Sequence, residues 1–209
     1  MLASLGLAAV LLTGCIEDVA TDKVEAVVED AAPDAAKKAP AKGKAWAVDR
    51  AASKVSALGA KVTETHPIDF KDFEAELTVD KGTLTGLTYT VQMATLEADH
   101  PKLTKHLMDG DFFDVATHPT SSFTSSTIKE GSDAEGMTHT VTGTLTIRGT
   151  AKQVTFPAKV EMKGKKLAAS TEFAIDRKDF GIVYPGRPDD LIQDKVVLTV
   201  ELVASRPKS

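Results

Sequence analysis

From Trp46 onward, apolar and polar residues alternate with a period of two, the spacing of a strand whose successive side chains point to opposite faces. The clearest run is Met137 to Arg148, where threonines at 138, 140, 142, 144 and 146 alternate with His139, Val141, Gly143, Leu145 and Ile147. Phe73, Ala75, Leu77 and Val79 repeat the pattern, as do Leu87, Tyr89, Val91 and Met93. So do every second residue from Val154 to Met162, from Leu167 to Ile175 and from Val196 to Leu202. Shorter runs at Trp46 to Asp49, Lys54 to Val62 and Ser122 to Lys129 bring the total to about eight strands, a number typical of small closed barrels.

Asp80-Lys81-Gly82, Gly131 to Gly136, Arg148-Gly149 and Lys163-Gly164-Lys165 are turn signals that make successive strands antiparallel. Closing such a sheet on itself removes its unpaired edges. One helix is predicted over Asp99 to Met108, with Asp99 as cap, Pro101 at an early position, and Leu103 and Leu107 on one face. The expectation is an all-β protein: a closed antiparallel up-and-down β-barrel of about eight strands with one short helix. Alternation alone leaves open whether the interior is hollow or filled, and whether the strands form a barrel or a two-sheet sandwich.

The residues before Trp46 follow no such rule. Residues 1–14, MLASLGLAAVLLTG, are uncharged and mostly apolar, too short for a bilayer-crossing helix of about 20 residues, and read as a signal peptide. Leu12-Thr13-Gly14-Cys15 is similar to a bacterial lipobox, which makes Cys15 the lipidation site. Residues 16–44 are acidic and alanine-rich, then rich in Pro and Lys, a composition that buries little apolar surface and reads as a tether with a reach of roughly 30 Å. An alternative for Val19 to Ala32 is a short amphipathic helix, since Val24, Val27 and Val28 lie at helical spacing. The predicted organisation is a signal peptide at 1–14, acylated Cys15 with its tether at 15–44, and the β-barrel domain at 45–209. Placement on the periplasmic face of a bacterial membrane follows, with the outer membrane preferred because Ile16 does not resemble the inner-membrane retention signal.

Composition narrows the partners. The 209 residues carry 30 acidic and 25 basic side chains, a net charge of -5, so no broad positive field gathers nucleic acid. A single cysteine excludes an internal disulfide. Histidines 66, 100, 106, 118 and 139 match no compact zinc spacing, so no metal and no cofactor is expected. No G-x-S-x-G elbow is present, which argues against nucleophilic catalysis. A hydrolase or isomerase built around His106, Asp111 and His118 remains an alternative, as does an interaction module with a filled barrel.

Three stretches carry motifs of one known family. Trp46-Ala47-Val48-Asp49 with Ser53-Lys54-Val55 is similar to an opening W-x-V-D and S-x-V. His106-Leu107, Asp111-Phe112-Phe113-Asp114, His118-Pro119 and Phe123-Thr124-Ser125 are similar to HL, DFFD, P and FxS elements. Gly143 to Gly149 followed by Asp176 to Ile182 is similar to GxLTIRG and RxDFG. Together they resemble the YceI-like, polyisoprenoid-binding family of periplasmic proteins. The resemblance implies a lipocalin-like barrel whose lumen carries a long-tailed amphiphile such as an isoprenoid quinone or polyprenyl compound. Leu103-Thr104-Lys105 stands where the family often has Arg-Asp, and Thr63 to Phe70 lacks the usual His and Gly pattern; both departures are expected at the barrel mouth.

By parity, Tyr89, Met93, Val141 and Phe156 are expected to face a lumen. Leu107, Phe112, Phe113 and Phe180 are expected to border its mouth or plug one end, with His106, Arg148 and Arg177 as head-group candidates. The two arginines have a competing role, pairing with Asp111, Asp114 or Asp179 to fix loops.

Overall fold

A computed structural model of the chain describes residues 17–32 and 41–207. Cys15, the signal peptide and the middle of the expected tether lie outside the described residues. In chain order the strands are β1 (Val27–Asp30), β2 (Lys44–Val48), β3 (Lys54–Ala60), β4 (Thr65–Phe70), β5 (Phe73–Asp80), β6 (Thr83–Gln92) and β7 (Leu96–Ala98). Helix α1 (Pro101–Met108) follows, then β8 (Thr120–Glu130), β9 (His139–Ile147), β10 (Thr150–Lys163), β11 (Lys166–Asp176), β12 (Gly186–Arg187), β13 (Asp190–Leu191) and β14 (Lys195–Ser205).

Eight strands close a ring in the order β2, β5, β6, β8, β9, β10, β11, β14 and back to β2, every pair antiparallel. Each is beside its neighbour in the series, which is the up-and-down barrel the alternation predicts. At one end β3 takes over from β2 along β14 and leads into β4 and β7, widening the wall there.

Two bulges let a flat alternation fit a curved wall. Between Thr78 and Val79 the pairing with β6 slips, so Leu84 and Leu87, three apart, both face the core. A second slip at Ser125/Thr127 does the same for Phe123 and Ile128. Arg148 (φ 50°) and Gly149 (φ 71°) form the two-residue turn between β9 and β10, the left-handed pair that a tight hairpin needs.

The helix has the predicted span, but its cap is His100, whose Nδ1 accepts from the Lys102 amide at 3.1 Å. Asp99 instead bonds His66.

The expected tether is corrected over residues 17–32, which lie on the barrel. Ala20 is buried with Ala174 and Val197 on the outside of the wall, so Val197, on the polar side of its strand by alternation, is also covered. The β10–β11 ladder stops at Lys159↔Ser170, and the segment enters the gap beyond. The Ala26 amide donates to the Ala174 carbonyl there and the Ala174 amide to the Val24 carbonyl, and β1 pairs with β10 from Val27↔Thr155 to Asp30↔Lys152. Lys23–Glu172 (3.1 Å), Lys195–Glu25 (3.0 Å) and Lys152–Asp30 (2.7 Å) ion pairs tie it down. The alternative of a helix over Val19 to Ala32 is replaced by this strand.

Candidate functional site

The barrel is solid at one end and hollow at the other. Tyr89 stacks on Phe123 (5.5 Å between centroids), Phe123 meets Phe156 (5.4 Å) and Phe156 stacks on Phe173 (4.2 Å, 7° between planes). This aromatic row spans the interior, and beyond it Leu77, Leu167 and Leu202 are almost wholly buried. Gly143 makes room for the row, since a Cβ there would lie 2.4 Å from the Phe123 ring.

Above the row is a cavity of about 680 Å³. The boundary cuts each strand at one height. On β6 and the turn just after it, Tyr89, Val91 and Met93 line the cavity while Leu87 does not; on β9, Leu145 and Ile147 do while Val141 and Gly143 do not. On β14, Val196, Leu198 and Val200 line it and Leu202 does not. Burial pushes the Tyr89 phenol, on the cavity floor, well above its ordinary range.

Of the residues expected at a lumen or its mouth, Tyr89, Met93, Leu107, Phe112, Phe113, Phe180 and His106 line the cavity. Val141 and Phe156 are corrected: they have the right face but lie in the solid end. Arg148 is also corrected, since its guanidinium donates to the carbonyls of Gly181 and Gly110 and holds two loops together. Arg177 borders the cavity, but it is 5% exposed and its donors go to the carbonyls of Ile182 (2.6 Å) and Gln193 (3.0 Å) and to Asp194 (3.1 Å). Both arginines fasten loops: Arg177 pairs with Asp194 rather than Asp111, Asp114 or Asp179, and the Arg148 bonds go to backbone carbonyls.

The mouth is ringed by polar groups. His106 donates or accepts at Asp111 (3.2 Å), and its ring meets Phe112 (4.9 Å) and Tyr184 (5.3 Å) edge to face. Across the mouth, Asp99 accepts from His66 Nδ1 at 3.1 Å, which fixes the imidazole tautomer and leaves Nε2 buried, facing Glu64 at 3.7 Å with no hydrogen-bond partner. Glu64, His66 and Asp99 each bring a ligand-type atom within 4.8 Å of the others, the sort of group a metal ion could use. Lys61, 3.7 Å from Glu64 and 2.9 Å from Asp190, already supplies positive charge beside it.

Tyr184, His66 and Asp99 were missing from the sequence-derived site. Tyr184 comes from an irregular loop with no periodicity, and the other two meet only because β4 pairs with β7. The departures at Thr63 to Phe70 do fall at the mouth, where Glu64, His66, Ile68 and Phe70 line the cavity. His118 packs under the Gly149 turn and is not part of the cavity wall, so the His106, Asp111 and His118 grouping does not form.

A closed antiparallel meander with an apolar cup and a polar rim defines a lipocalin-like fold. The family model for the YceI-like domain matches residues 46–204, and the chain belongs to that family. A UPF0312 protein from Pseudomonas putida strain F1 is 32% identical over 125 residues, covering 56% of this chain and 64% of the relative. Protein YceI from Escherichia coli O17:K52:H18 is 32% identical over 122 residues, covering 54% and 61%. The chain thus spans less than two thirds of the length of these curated relatives.

Among solved structures, Burkholderia cenocepacia BcnA superposes with TM-score 0.66 at 28% identity, over 76% of this chain and 99% of that one. A polyisoprenoid binding domain from Saccharophagus degradans gives TM-score 0.62 at 13% identity, over 78% and 98%, a likeness of fold. Residues 17–32, which brace the wall, precede the matched family domain.

Proposed function

We propose that this protein binds a long-chain amphiphilic lipid of isoprenoid quinone or polyprenyl type, and carries or sequesters it in the cell envelope without catalysing a reaction on it. The observation that carries the reading is the cup: a largely apolar cavity of about 680 Å³ whose charged groups, the buried loop-fastening Arg177 apart, lie toward the mouth. That volume is within the range of about 300–1,000 Å³ usual for small-molecule sites, and the partition of apolar wall from polar rim suits a tail inside and a head group outside. The fold is shared with a domain described as polyisoprenoid binding, which supports the same class of ligand. Among the described residues neither mouth imidazole is hydrogen-bonded to a hydroxyl or thiol, so the pairs His66–Asp99 and His106–Asp111 suit holding a polar head rather than activating a nucleophile.

The proposed setting is a lipoprotein acylated at Cys15 on the periplasmic face of a bacterial membrane, preferably the outer one. Extraction of protein purified from membranes, followed by mass spectrometry and by titration with a prenyl quinone, tests the ligand. A stoichiometric prenyl lipid and saturable quinone uptake are expected; recovery of no lipid with no uptake would overturn the proposal.

A further inference from the structure

The path of residues 17–20 and the apolar residues at the rim lie at the same end of the barrel. Gln193 joins them: its side-chain Oε1 accepts from the Val19 amide (3.0 Å) and its Nε2 donates to the Glu17 carbonyl (3.3 Å), while its own amide donates to Ala60, a cavity-lining residue (2.8 Å). Ala20 is buried immediately beyond. Glu17 is therefore fixed beside the mouth, not at the solid end. Cys15 is two residues away, a reach of about 7 Å even for extended chain.

The same rim, among charged groups such as Lys61, Glu64, Arg187 and Asp190, also presents apolar side chains on its outer side. Among the described residues the exposed large hydrophobics are Val24, Val27, Val62, Val183 and Leu191, and the last three crown the mouth. The Val62 amide donates to the Leu191 carbonyl at 3.0 Å, and Val183 stands between Ile182 and Tyr184, both in the cavity wall. Val183 and Leu191 are 63% and 49% exposed, whereas the turns at the solid end carry Lys81, Glu135 and Lys165. Apolar side chains set at one end of a polar surface suit shallow burial at a lipid headgroup boundary.

We infer that the barrel sits mouth-down on a phospholipid bilayer, held by the docked Glu17–Ala20 segment next to the acylated Cys15 and by Val62, Val183 and Leu191 against the headgroups. This rests on the lipoprotein and carrier readings above. Docking of the segment shortens the expected tether to almost nothing, so the cavity opens toward the membrane instead of hanging clear of it.

The test uses the acylated full-length chain in vesicles of phosphatidylethanolamine and phosphatidylglycerol, with Cys15 consumed by its lipid. A nitroxide is placed at Val183→Cys or Leu191→Cys at the rim, and at Glu135→Cys or Lys165→Cys at the solid end. Power saturation with oxygen and with a water-soluble nickel chelate should show the rim labels at least threefold less accessible to nickel than the solid-end labels. Ala20→Arg, which undocks the segment from the outer wall, should erase most of that contrast while the acylated protein stays on the vesicles. Equal nickel access at both ends overturns the orientation.

Quinone titration of Cys15→Ser chain in solution separates this from the carrier reading. Retained binding with a water-exposed rim sinks only the orientation; lost binding with a shielded rim sinks only the carrier.

Discussion

Single positions decide where the cavity ends. Gly143 exists to let the Phe123 ring lie across the interior, with an added Cβ only 2.5 Å from the Thr124 carbonyl as well. Gly143→Ala is expected to destabilise by about 1–3 kcal/mol through overpacking against backbone that cannot move aside. Thermal unfolding should register this as a fall of roughly 2–4 °C per kcal/mol; an unchanged midpoint would show that the aromatic row tolerates displacement. Leu198 tests the other compartment, because it is only half-buried despite pointing inward. Leu198→Trp should narrow the cup, weaken prenyl quinone uptake in a fluorescence titration and leave the melting midpoint unchanged or higher. Full uptake by that variant would mean the lipid binds elsewhere.

Residue parity was legible in the sequence to this extent: Tyr89, Met93, Val141 and Phe156 all face inward. Depth along the barrel axis was not legible. Whether an inward residue meets open cavity or another ring depends on the register of neighbouring strands and on how far aromatic side chains from β8, β10 and β11 reach across, and alternation contains neither. Arg177 escaped for a related reason, since three of its partners are backbone carbonyls, which carry no sequence signal.

At the scale of elements, the strands with long alternation and flanking glycines were readable and β1 was not. Its valines have helical spacing and its acids weaken any helix; the extended form is imposed by the open edge of β10, where Asp30 meets Lys152 and Glu29 meets Gln153. Such tertiary override should make the segment the first part to open. In Ala20→Arg, amide exchange over residues 17–30 should rise at least tenfold while exchange in β9 and β14 stays as in the parent chain; loss of protection throughout would show that the segment is integral to the barrel.

The mouth has a polar joint, the hydrogen-bonded ion pair between Lys61 and Asp190. Through it Lys61, helped by the Thr63 hydroxyl, holds the Asp190 carboxyl below its ordinary range, and Asp190 raises Lys61. The carboxyl contribution is present above the ordinary carboxylate range and disappears as pH falls through the lowered value. The lysine contribution is present below the ordinary lysine range and disappears only at strongly alkaline pH. Exchange rates over residues 186–192, corrected for intrinsic chemistry, should therefore be flat around neutrality and rise only as pH falls below the ordinary carboxylate range. A profile that stays flat on through strongly acidic pH would remove the joint from the account.

For the whole molecule, the family and the barrel were legible because the W-x-V-D, DFFD and GxLTIRG stretches sit at turns and strand ends that any such barrel must build. The division into a packed half and a hollow half was not, because both halves present the same alternating pattern. If the hollow half takes a lipid, ligand and fold are linked by mass action, and a prenyl quinone at about 100 times its dissociation constant should add about 2.7 kcal/mol of apparent stability. Calorimetry with and without the quinone checks this, and an identical midpoint at saturating quinone would contradict occupancy of the cup.

The aromatic floor carries a further consequence. A vessel sealed at its base has one door, so it cannot serve as a conduit through which cargo is threaded from one side to the other. A guest that slides in tail first can only back out head first. If the cup carries a lipid, whatever receives it must therefore grasp its polar end while the greasy remainder is still sheathed, and handover would happen at the doorway.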